Sequence, residues 1–187
     1  MYSVKDALRQ AILKIRNSLP QEILYKLSED IQTRVIGMNE FANATIVGAY
    51  HSIGSEVSTS KILGEVLQRG KRLALPKVID DNTIVFAEMK DLKDDLEVGR
   101  FNIMTPKEHC EQFEKIDLVL VPGIAWDGQG YRIGYGQGYY DRYLAKLQTT
   151  SIGLAYEFQV FEEIQHGDND FCVDFIVTDK RVVRASN

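Results

Sequence analysis

Cysteine and histidine are scarce in this sequence, which contains two cysteines and three histidines among 187 residues. Cys110 and Cys172 lack the close spacing of zinc-binding pairs, and one distant pair is not a disulfide framework. We expect both to be packing residues or thiols at the solvent edge. His51, His109 and His166 form no H-x-x-x-H or H-E-x-x-H pattern, which would place two imidazoles on one helix face. The sequence therefore argues against zinc catalysis.

Long apolar runs and an excess of positive charge are also missing. No window approaches the roughly 18 apolar residues of a membrane span, and residues 1–16 lack the apolar centre of a secretory signal. The net charge of −5 leaves no basic field for nucleic acid. We expect a cytoplasmic protein without a membrane or nucleic-acid partner, folded as one domain over residues 1–187. An anionic ligand would need a local cationic pocket.

Apolar spacing predicts two amphipathic helices at the start of the chain, over residues 3–16 and from Pro20 to about Met38. A buried strand over residues 44–50, a helix over 60–68 capped by Ser58 or Thr59, and a strand over 72–78 follow. Strand, helix and strand in this order form a parallel right-handed unit. Ligands bind such sheets where strands end.

Further strands are predicted along the rest of the chain, and one more helix. The strands cover residues 83–88, 117–121, 151–155 and 173–177, the segment near Ile103 is irregular, and the helix covers residues 139–147. The expected fold class is α/β. It is a single domain with a largely parallel, Rossmann-like sheet flanked by helices, similar to the sheets of sugar-phosphate isomerases and CoA-transferases.

Glycine is concentrated in residues 121–144, which contain six of the 14 glycines. Because glycine costs backbone entropy, such a density after a core strand indicates positive φ angles or a ligand touching the backbone. The run G-Y-G-Q-G before a helix would aim several N–H groups at one point and attract phosphate. The spacing matches neither G-x-x-x-x-G-K-[ST] nor G-x-G-x-x-G, which weakens P-loop and nicotinamide interpretations. A glycine-rich connection that serves only tight turns is the alternative.

The residues around these glycines favour a phosphate site. Arg132 is a fixed cation that can bind phosphate oxygens in a forked geometry, and Asp141 is suited to Mg²⁺. Trp126, Tyr139 and Tyr140 offer flat surfaces for a ring system. The alternatives are that Trp126 and one tyrosine belong to the core, and that Asp141 forms a surface pair with its neighbour.

The run P-G-I-A-W-D-G-Q-G-Y-R-I-G-Y-G-Q-G-Y-Y-D-R-Y-L closely resembles the signature of the 5-formyltetrahydrofolate cyclo-ligase family. Other parts of the chain follow the family's order and extend the resemblance over nearly its whole length. They are K-x-x-x-R at Lys5 and Arg9, the loop G-S-E-V-S-T at 54–59, L-P-K at 75–77 and V-D-F at 173–175.

The resemblance implies an ATP- and Mg²⁺-dependent conversion of 5-formyltetrahydrofolate to 5,10-methenyltetrahydrofolate, with release of ADP and phosphate. Transfer of the γ-phosphoryl group to the formyl oxygen makes it a leaving group, and N10 then closes the ring. No covalent enzyme nucleophile is needed, because catalysis rests on positioning and charge neutralisation. A monomer or weak homodimer is expected.

The resemblance also implies roles for individual residues. Arg132 and Asp141 carry catalysis, and Asp141 and Asp174 bind magnesium. Substrate contacts are Tyr50, Glu56, Ser58, Trp126 and Tyr139, with Glu56 hydrogen-bonding the pterin ring and Ser58 replacing an acidic residue common in the family. ATP contacts are Lys5, Arg9, Lys77, Arg132, Ile133, Gly134, Tyr135, Gly136, Gln137, Gly138, Tyr139 and Tyr140. A solvated helix face is the alternative for Lys5 and Arg9.

Two other functions are compatible with the sequence. The chain could be a non-catalytic folate or nucleotide binder that has lost turnover, with Gln137 standing where many members of the family have a basic residue or glycine. It could also be a sugar-phosphate isomerase or acyl-CoA transferase, because similar sheets host both. A binder would release no phosphate, and an isomerase would not depend on ATP.

Overall fold

The computed structural model describes residues 3–100 and 103–186. Its helices are α1 (Val4–Ser18), α2 (Gln21–Ile36), α3 (Asn39–Asn43), α4 (Ser60–Gln68) and α5 (Tyr139–Leu144), with a 3-10 helix at Glu157–Gln159. Its strands are β1 (Ile46–Gly48), β2 (Arg72–Val78), β3 (Ile84–Met89), β4 (Leu96–Val98), β5 (Met104–Pro106), β6 (Leu118–Val121), β7 (Ala125–Asp127), β8 (Arg132–Ile133), β9 (Thr150–Leu154), β10 (Val160–Phe161), β11 (Phe175–Val177) and β12 (Val182–Arg184).

Seven strands form the central sheet in the order β12, β11, β9, β6, β1, β2, β3. The five inner strands are parallel to one another, and an antiparallel strand closes each edge. This arrangement confirms the predicted α/β class and the parallel pairing of β1 with β2 across α4. It also places the carboxyl ends of the inner strands at one edge of the sheet.

Both faces of the sheet are covered, as the burial of β6 shows. The four residues of β6 are fully buried, and alternate side chains of a strand point to opposite faces of the sheet. Leu118 and Leu120 pack in the cluster that contains α2 and α4, whereas Val119 and Val121 pack in the cluster that contains α5. The core therefore lies in two layers, one on each side of the sheet.

A second sheet, in the order β10, β7, β8, follows β6 and carries the start of the glycine-rich segment. The buried Asp127 shapes its β7–β8 turn, because Oδ1 accepts the N–H groups of Gln129 and Tyr131 at 3.0 and 3.1 Å. Helix α1 packs on this sheet through Ile12, which shares a cluster with Ile133. The packing brings the first turns of α1 close to the glycine-rich segment.

Several predicted boundaries need correction. Pro20 precedes α2 as its N-cap, and that helix ends at Ile36 because a turn separates it from α3. Thr59 is the N-cap of α4, but its hydroxyl donates to the carbonyl of Tyr50 at 2.6 Å and does not cap the helix. Helix α5 ends at Leu144, three residues earlier than predicted.

Trp126 is a core residue, which corrects its expected role as a substrate contact and agrees with the alternative given for it. Its side chain is completely buried and its ring fills the space above two glycines. A Cβ atom on Gly123 would lie 2.6 Å from the ring, and one on Gly153 would lie 2.3 Å from it. Glycine is therefore required at these two positions to leave room for the indole ring, and not for a ligand.

Trp126→Ala is expected to lower the free energy of unfolding by about 3 to 5 kcal/mol, because it opens a large cavity in the core. Trp126→Phe should cost less, since a ring still fills part of the space. Urea unfolding followed by circular dichroism measures both, as the chain has no other tryptophan for fluorescence. A Trp126→Ala variant with wild-type stability would contradict this placement.

Candidate active site

A cavity of about 780 Å³ opens at the carboxyl ends of the inner strands. Tyr50 and His51 follow β1, Lys77 lies near the end of β2, and Pro122 directly follows β6, and all four line the cavity. The glycine-rich segment and the hairpin formed by β4 and β5 supply other walls. The position agrees with the expectation that ligands bind parallel sheets where the strands end.

The glycine-rich loop reaches the cavity through left-handed backbone. Gly136 has φ of 99° and Gly138, the N-cap of α5, has φ of 65°. A Cβ atom on Gly138 would lie 2.8 Å from Nη1 of Arg142, whose Nη2 donates to the carbonyl of Gln137 at 2.7 Å. Glycine at 138 therefore allows both the left-handed turn and the close approach of this guanidinium group.

The first turns of α1 place Lys5 and Arg9 at the cavity. Arg9 donates through Nε to the carbonyl of Gly134 at 2.8 Å and also pairs with Asp6. Lys5 forms an ion pair with Asp170, another residue of the cavity wall. These contacts exclude the alternative of a solvated helix face, because Arg9 contacts the glycine-rich loop and Lys5 pairs with a residue of the cavity wall. A polyphosphate ligand would compete with Asp170 for Lys5.

Arg132 and Asp141 form a buried ion pair in the wall. Nη1 of Arg132 lies 3.1 Å from Oδ1 of Asp141, and the side chains are 4% and 20% exposed. The N–H of Phe171 donates to the same Oδ1 at 3.1 Å. Burial lowers the pKa of Arg132 and Asp141 opposes that effect, yet an arginine in a protein remains protonated at neutral pH. The pair therefore holds a charged guanidinium group in a fixed position.

Glu56 lies at another part of the cavity, in a chain of hydrogen bonds. Its Oε1 accepts the hydroxyl of Tyr135 at 2.8 Å, and that hydroxyl accepts Nη2 of the buried Arg16 at 2.9 Å. Its Oε2 accepts the N–H of Ile53 at 3.0 Å. Burial raises the pKa of Glu56, although Ile53, Tyr135 and Arg16 oppose the shift. The carboxylate is thus held in one orientation and poorly solvated, as expected for a group that accepts further hydrogen bonds from a ligand.

Comparison with known proteins identifies the family. Residues 1–179 match the model of the 5-formyltetrahydrofolate cyclo-ligase family. The chain belongs to this family. The 5-formyltetrahydrofolate cyclo-ligase of Saccharomyces cerevisiae is 30% identical over 200 aligned positions, which cover 94% of this chain and 95% of the yeast protein.

Two solved cyclo-ligase structures share the fold. A 5,10-methenyltetrahydrofolate synthetase from Aquifex aeolicus superposes with a TM-score of 0.89 at 36% identity, covering 99% of this chain and 94% of that one. The corresponding synthetase from Mycoplasma pneumoniae gives a TM-score of 0.78 at 29% identity, with coverage of 95% and 99%. Both comparisons extend over almost the whole of each chain.

No helix within residues 3–100 and 103–186 is long and apolar enough to cross a bilayer. The name of one relative includes a cellular compartment. A relative from Arabidopsis thaliana, 30% identical over 98% of this chain and 76% of its own length, is named as mitochondrial. A cytoplasmic location therefore stays a prediction.

Most of the residues expected from the cyclo-ligase resemblance line one cavity. They are Lys5, Arg9, Tyr50, Glu56, Lys77, Arg132, Ile133, Gly134, Tyr135, Gly136, Gln137, Gly138, Tyr139, Tyr140 and Asp141. Residues far apart in sequence thus meet in space. The side chain of Lys77 is 14% exposed, and its Nζ lies 2.9 Å from Oε1 of Glu108.

Asp174 and Ser58 do not line the cavity, which corrects two expectations. Asp174 precedes β11 and so lies at the amino end of a parallel strand, whereas the cavity lies at the carboxyl ends. Its Oδ2 accepts the N–H and the hydroxyl of Ser151, each at 2.8 Å. The N–H of Ser58 donates to Ser28 Oγ at 3.0 Å, and its hydroxyl hydrogen-bonds Ser60.

Several cavity residues were not predicted from the sequence. Asp170 lines the wall beside Lys5, and His51 has a buried Nδ1 without a hydrogen-bond partner in the described part of the chain. The position of His51 three residues after the end of β1 was a usable signal, because ligand-binding residues commonly follow parallel strands. Asp170 lies in a polar loop and gave no such signal.

Proposed function

We infer that this chain catalyses the ATP-dependent cyclisation of 5-formyltetrahydrofolate to 5,10-methenyltetrahydrofolate, with release of ADP and phosphate. The observation that carries this inference is one cavity that joins four cationic side chains to an oriented carboxylate, in a chain that matches the family over residues 1–179. The cations are Lys5, Arg9, Lys77 and Arg132, and the carboxylate is Glu56.

The reaction needs two displacements, and neither requires an enzyme nucleophile. The formyl oxygen attacks the γ-phosphorus of ATP, and ADP leaves with the electrons of the broken P–O bond. The nitrogen N10 then attacks the formyl carbon and loses its proton, and phosphate departs with the former formyl oxygen. The cations neutralise the charge that shifts onto ADP and the transferring group, and the glycine-rich loop allows the phosphates to approach the backbone.

Magnesium is proposed as the metal, with Asp141 as its ligand in the cavity. Both contacts described for this carboxylate involve Oδ1, so Oδ2 is the oxygen proposed to bind the ion. We propose Asp170, which lines the cavity beside Lys5, in place of Asp174 as the second carboxylate near the phosphates. Carboxylate oxygens and phosphate oxygens are typical Mg²⁺ ligands, and an ion held by Asp141 would neutralise phosphate charge.

The pterin ring is proposed to bind at Glu56, with Tyr50 and Tyr139 among the walls around it. A pterin presents an amino group and a ring N–H side by side, and a carboxylate can accept both. Tyr135 already donates to Oε1, and burial raises the pKa of Tyr135 to about 12, so it remains a donor at neutral pH. Glu56 thus has a fixed orientation before the substrate arrives.

Glu56→Gln is expected to raise KM for 5-formyltetrahydrofolate by about 10- to 100-fold and to leave KM for ATP nearly unchanged. Hydrogen bonds to a charged group contribute roughly 1.5 to 3 kcal/mol, and the amide loses that charge. Burial raises the pKa of Glu56, so ionisation of this group opposes folding, whereas the amide has a single acceptor oxygen and leaves either the N–H of Ile53 or the hydroxyl of Tyr135 without its acceptor. Steady-state kinetics measure the change in KM, and thermal unfolding measures the balance of the two effects on stability.

The same pKa shift gives a pH test of Glu56. In the wild type, KM for the folate should rise as the pH falls through the raised pKa, because protonation removes the acceptor charge. The Glu56→Gln variant should not show this rise, and Glu65→Gln on the outer surface of α4 is the matched control. Equal increases in the KM values for ATP and folate would show that Glu56 does not contact the pterin.

The function is tested by mixing purified protein with 5-formyltetrahydrofolate, ATP and Mg²⁺ and following the absorbance of 5,10-methenyltetrahydrofolate. We expect an increase that requires all three components. Folded protein that binds both substrates without this increase would instead be the non-catalytic binder. Product formation without ATP would contradict the ligase reaction.

We further propose that residues 1–187 act as one domain and that a single chain holds a complete site. Lining residues from Lys5 to Asp170 come from the same chain, so no partner subunit is needed for the chemistry. A monomer or a weak homodimer is therefore sufficient. Activity per chain that stays constant on dilution would support this proposal.

A further inference from the structure

Asp95, His109 and Cys110 form a cluster outside the cavity, here called the hairpin-base cluster. Asp95 directly precedes β4, and His109 and Cys110 follow β5, so the cluster joins the two ends of the β4–β5 hairpin. One ligating atom of each residue lies within 4.8 Å of the other two. The sequence did not reveal it, because Asp95 is separated from Cys110 by 15 positions.

The spacing of these atoms is close to that of ligands around a zinc ion. Zn–N and Zn–O distances near 2.0 to 2.1 Å and a Zn–S distance near 2.3 Å place tetrahedral ligand atoms roughly 3.3 to 3.6 Å apart. Nε2 of His109 lies 3.1 Å from Oδ1 of Asp95. Sγ of Cys110 lies within 4.8 Å of the other two atoms, so a side-chain movement that shortens these separations would complete the set.

The surroundings orient the ligands before any ion arrives. Oδ2 of Asp95 accepts the N–H groups of Lys90 and Asp91 at 2.8 and 2.9 Å, which leaves Oδ1 directed at His109. The carbonyl of Asp95 accepts Sγ of Cys110 at 3.7 Å and the N–H of Lys107 at 2.9 Å. Outer contacts of this kind are typical of metal sites, because they fix the direction of each ligand.

We propose that the hairpin-base cluster binds one divalent cation of the zinc class, with water completing a tetrahedral site. Thiolate and imidazole ligands suit such a cation, whereas Mg²⁺ prefers oxygen and belongs in the cavity. The side chain of His109 is 64% exposed, so the ion has an open path. The bound cation links the two ends of the hairpin, whose residues Gly99 and Thr105 line the cavity. Its role is therefore to hold a wall of the site, not to catalyse.

Titration with Co²⁺ tests the site directly, because cobalt reports a thiolate ligand by a charge-transfer absorption band. We expect the band to saturate at one Co²⁺ per chain and to disappear when Zn²⁺ is added. Cys110→Ser and His109→Gln should lose the band, and circular dichroism checks that both remain folded. The matched controls Cys172→Ser and His166→Gln should keep it.

A second measurement follows the hairpin itself. Zn²⁺ should raise Tm and slow amide hydrogen exchange in β4 and β5 of the wild type, and Cys110→Ser should show neither change. A cobalt band that is absent in the wild type, or that persists in Cys110→Ser, would overturn the proposal. These readouts do not involve turnover, so their outcome is independent of the cyclo-ligase assay.

Discussion

Arg132→Ala is expected to lower kcat/KM by about 100- to 1000-fold, the loss typical for removal of one preorganised group that stabilises transition-state charge. The guanidinium group of Arg132 is held by Asp141 in a wall from which most solvent is excluded. In such surroundings a charge acts on the transferring phosphoryl group with little screening. Steady-state kinetics in both substrates measure the loss.

The Arg132→Ala experiment needs a stability control, because removing one partner of a buried ion pair can cost about 3 to 5 kcal/mol. The variant should therefore be assayed at a temperature at which circular dichroism shows it to be folded. Arg69→Ala removes a surface ion pair on α4 and should retain wild-type kinetics. A folded Arg132→Ala variant with wild-type kcat/KM would show that this cation does not act in phosphoryl transfer.

Asp141→Asn is expected to lower kcat by about 100-fold and to raise the Mg²⁺ concentration needed for half-maximal rate. Asparagine keeps an oxygen that can accept the N–H of Phe171, so the local structure should persist. It removes the negative charge that holds Arg132 and that is proposed to bind the metal. Rates measured across a range of Mg²⁺ concentrations separate the loss of turnover from the loss of metal affinity.

Asp174→Asn is the matched control, because it makes the same chemical change at the opposite edge of the sheet. Its carboxylate accepts hydrogen bonds from Ser151 and does not line the cavity. We expect a wild-type Mg²⁺ dependence for this variant. If Asp174→Asn shifted that dependence and Asp141→Asn did not, the assignment of the metal ligand would be reversed.

The sequence predicted the sheet and the glycine-rich loop well because both depend on local patterns. Runs such as Leu118–Val121 are apolar at every position, as buried parallel strands require. The positive φ angles of Gly136 and Gly138 were equally predictable, because other residues adopt such backbone only at an energetic cost. The meeting of Arg9 with this loop was implied by the family resemblance, since helical spacing alone cannot show what a helix faces.

The errors in the site concern residues whose role depends on tertiary packing. An aromatic residue beside glycines can stack on a ligand or fill the space above the glycines, and Trp126 does the latter. Asp170 and Asp174 lie four positions apart, yet only Asp170 lines the cavity, because the chain reaches the amino end of β11 between them. The hairpin of β4 and β5 has strands of three residues, too short for a periodic pattern to identify.

The fate of the formyl oxygen tests the proposed chemistry most directly. If the formyl oxygen attacks the γ-phosphorus and later leaves with phosphate, 5-formyltetrahydrofolate labelled with oxygen-18 in its formyl group will transfer that label to inorganic phosphate. Mass spectrometry of the phosphate should find one labelled oxygen for each methenyltetrahydrofolate formed. Phosphate that carries oxygen from the solvent instead would mean that the chain hydrolyses ATP without activating the folate, and would contradict the account.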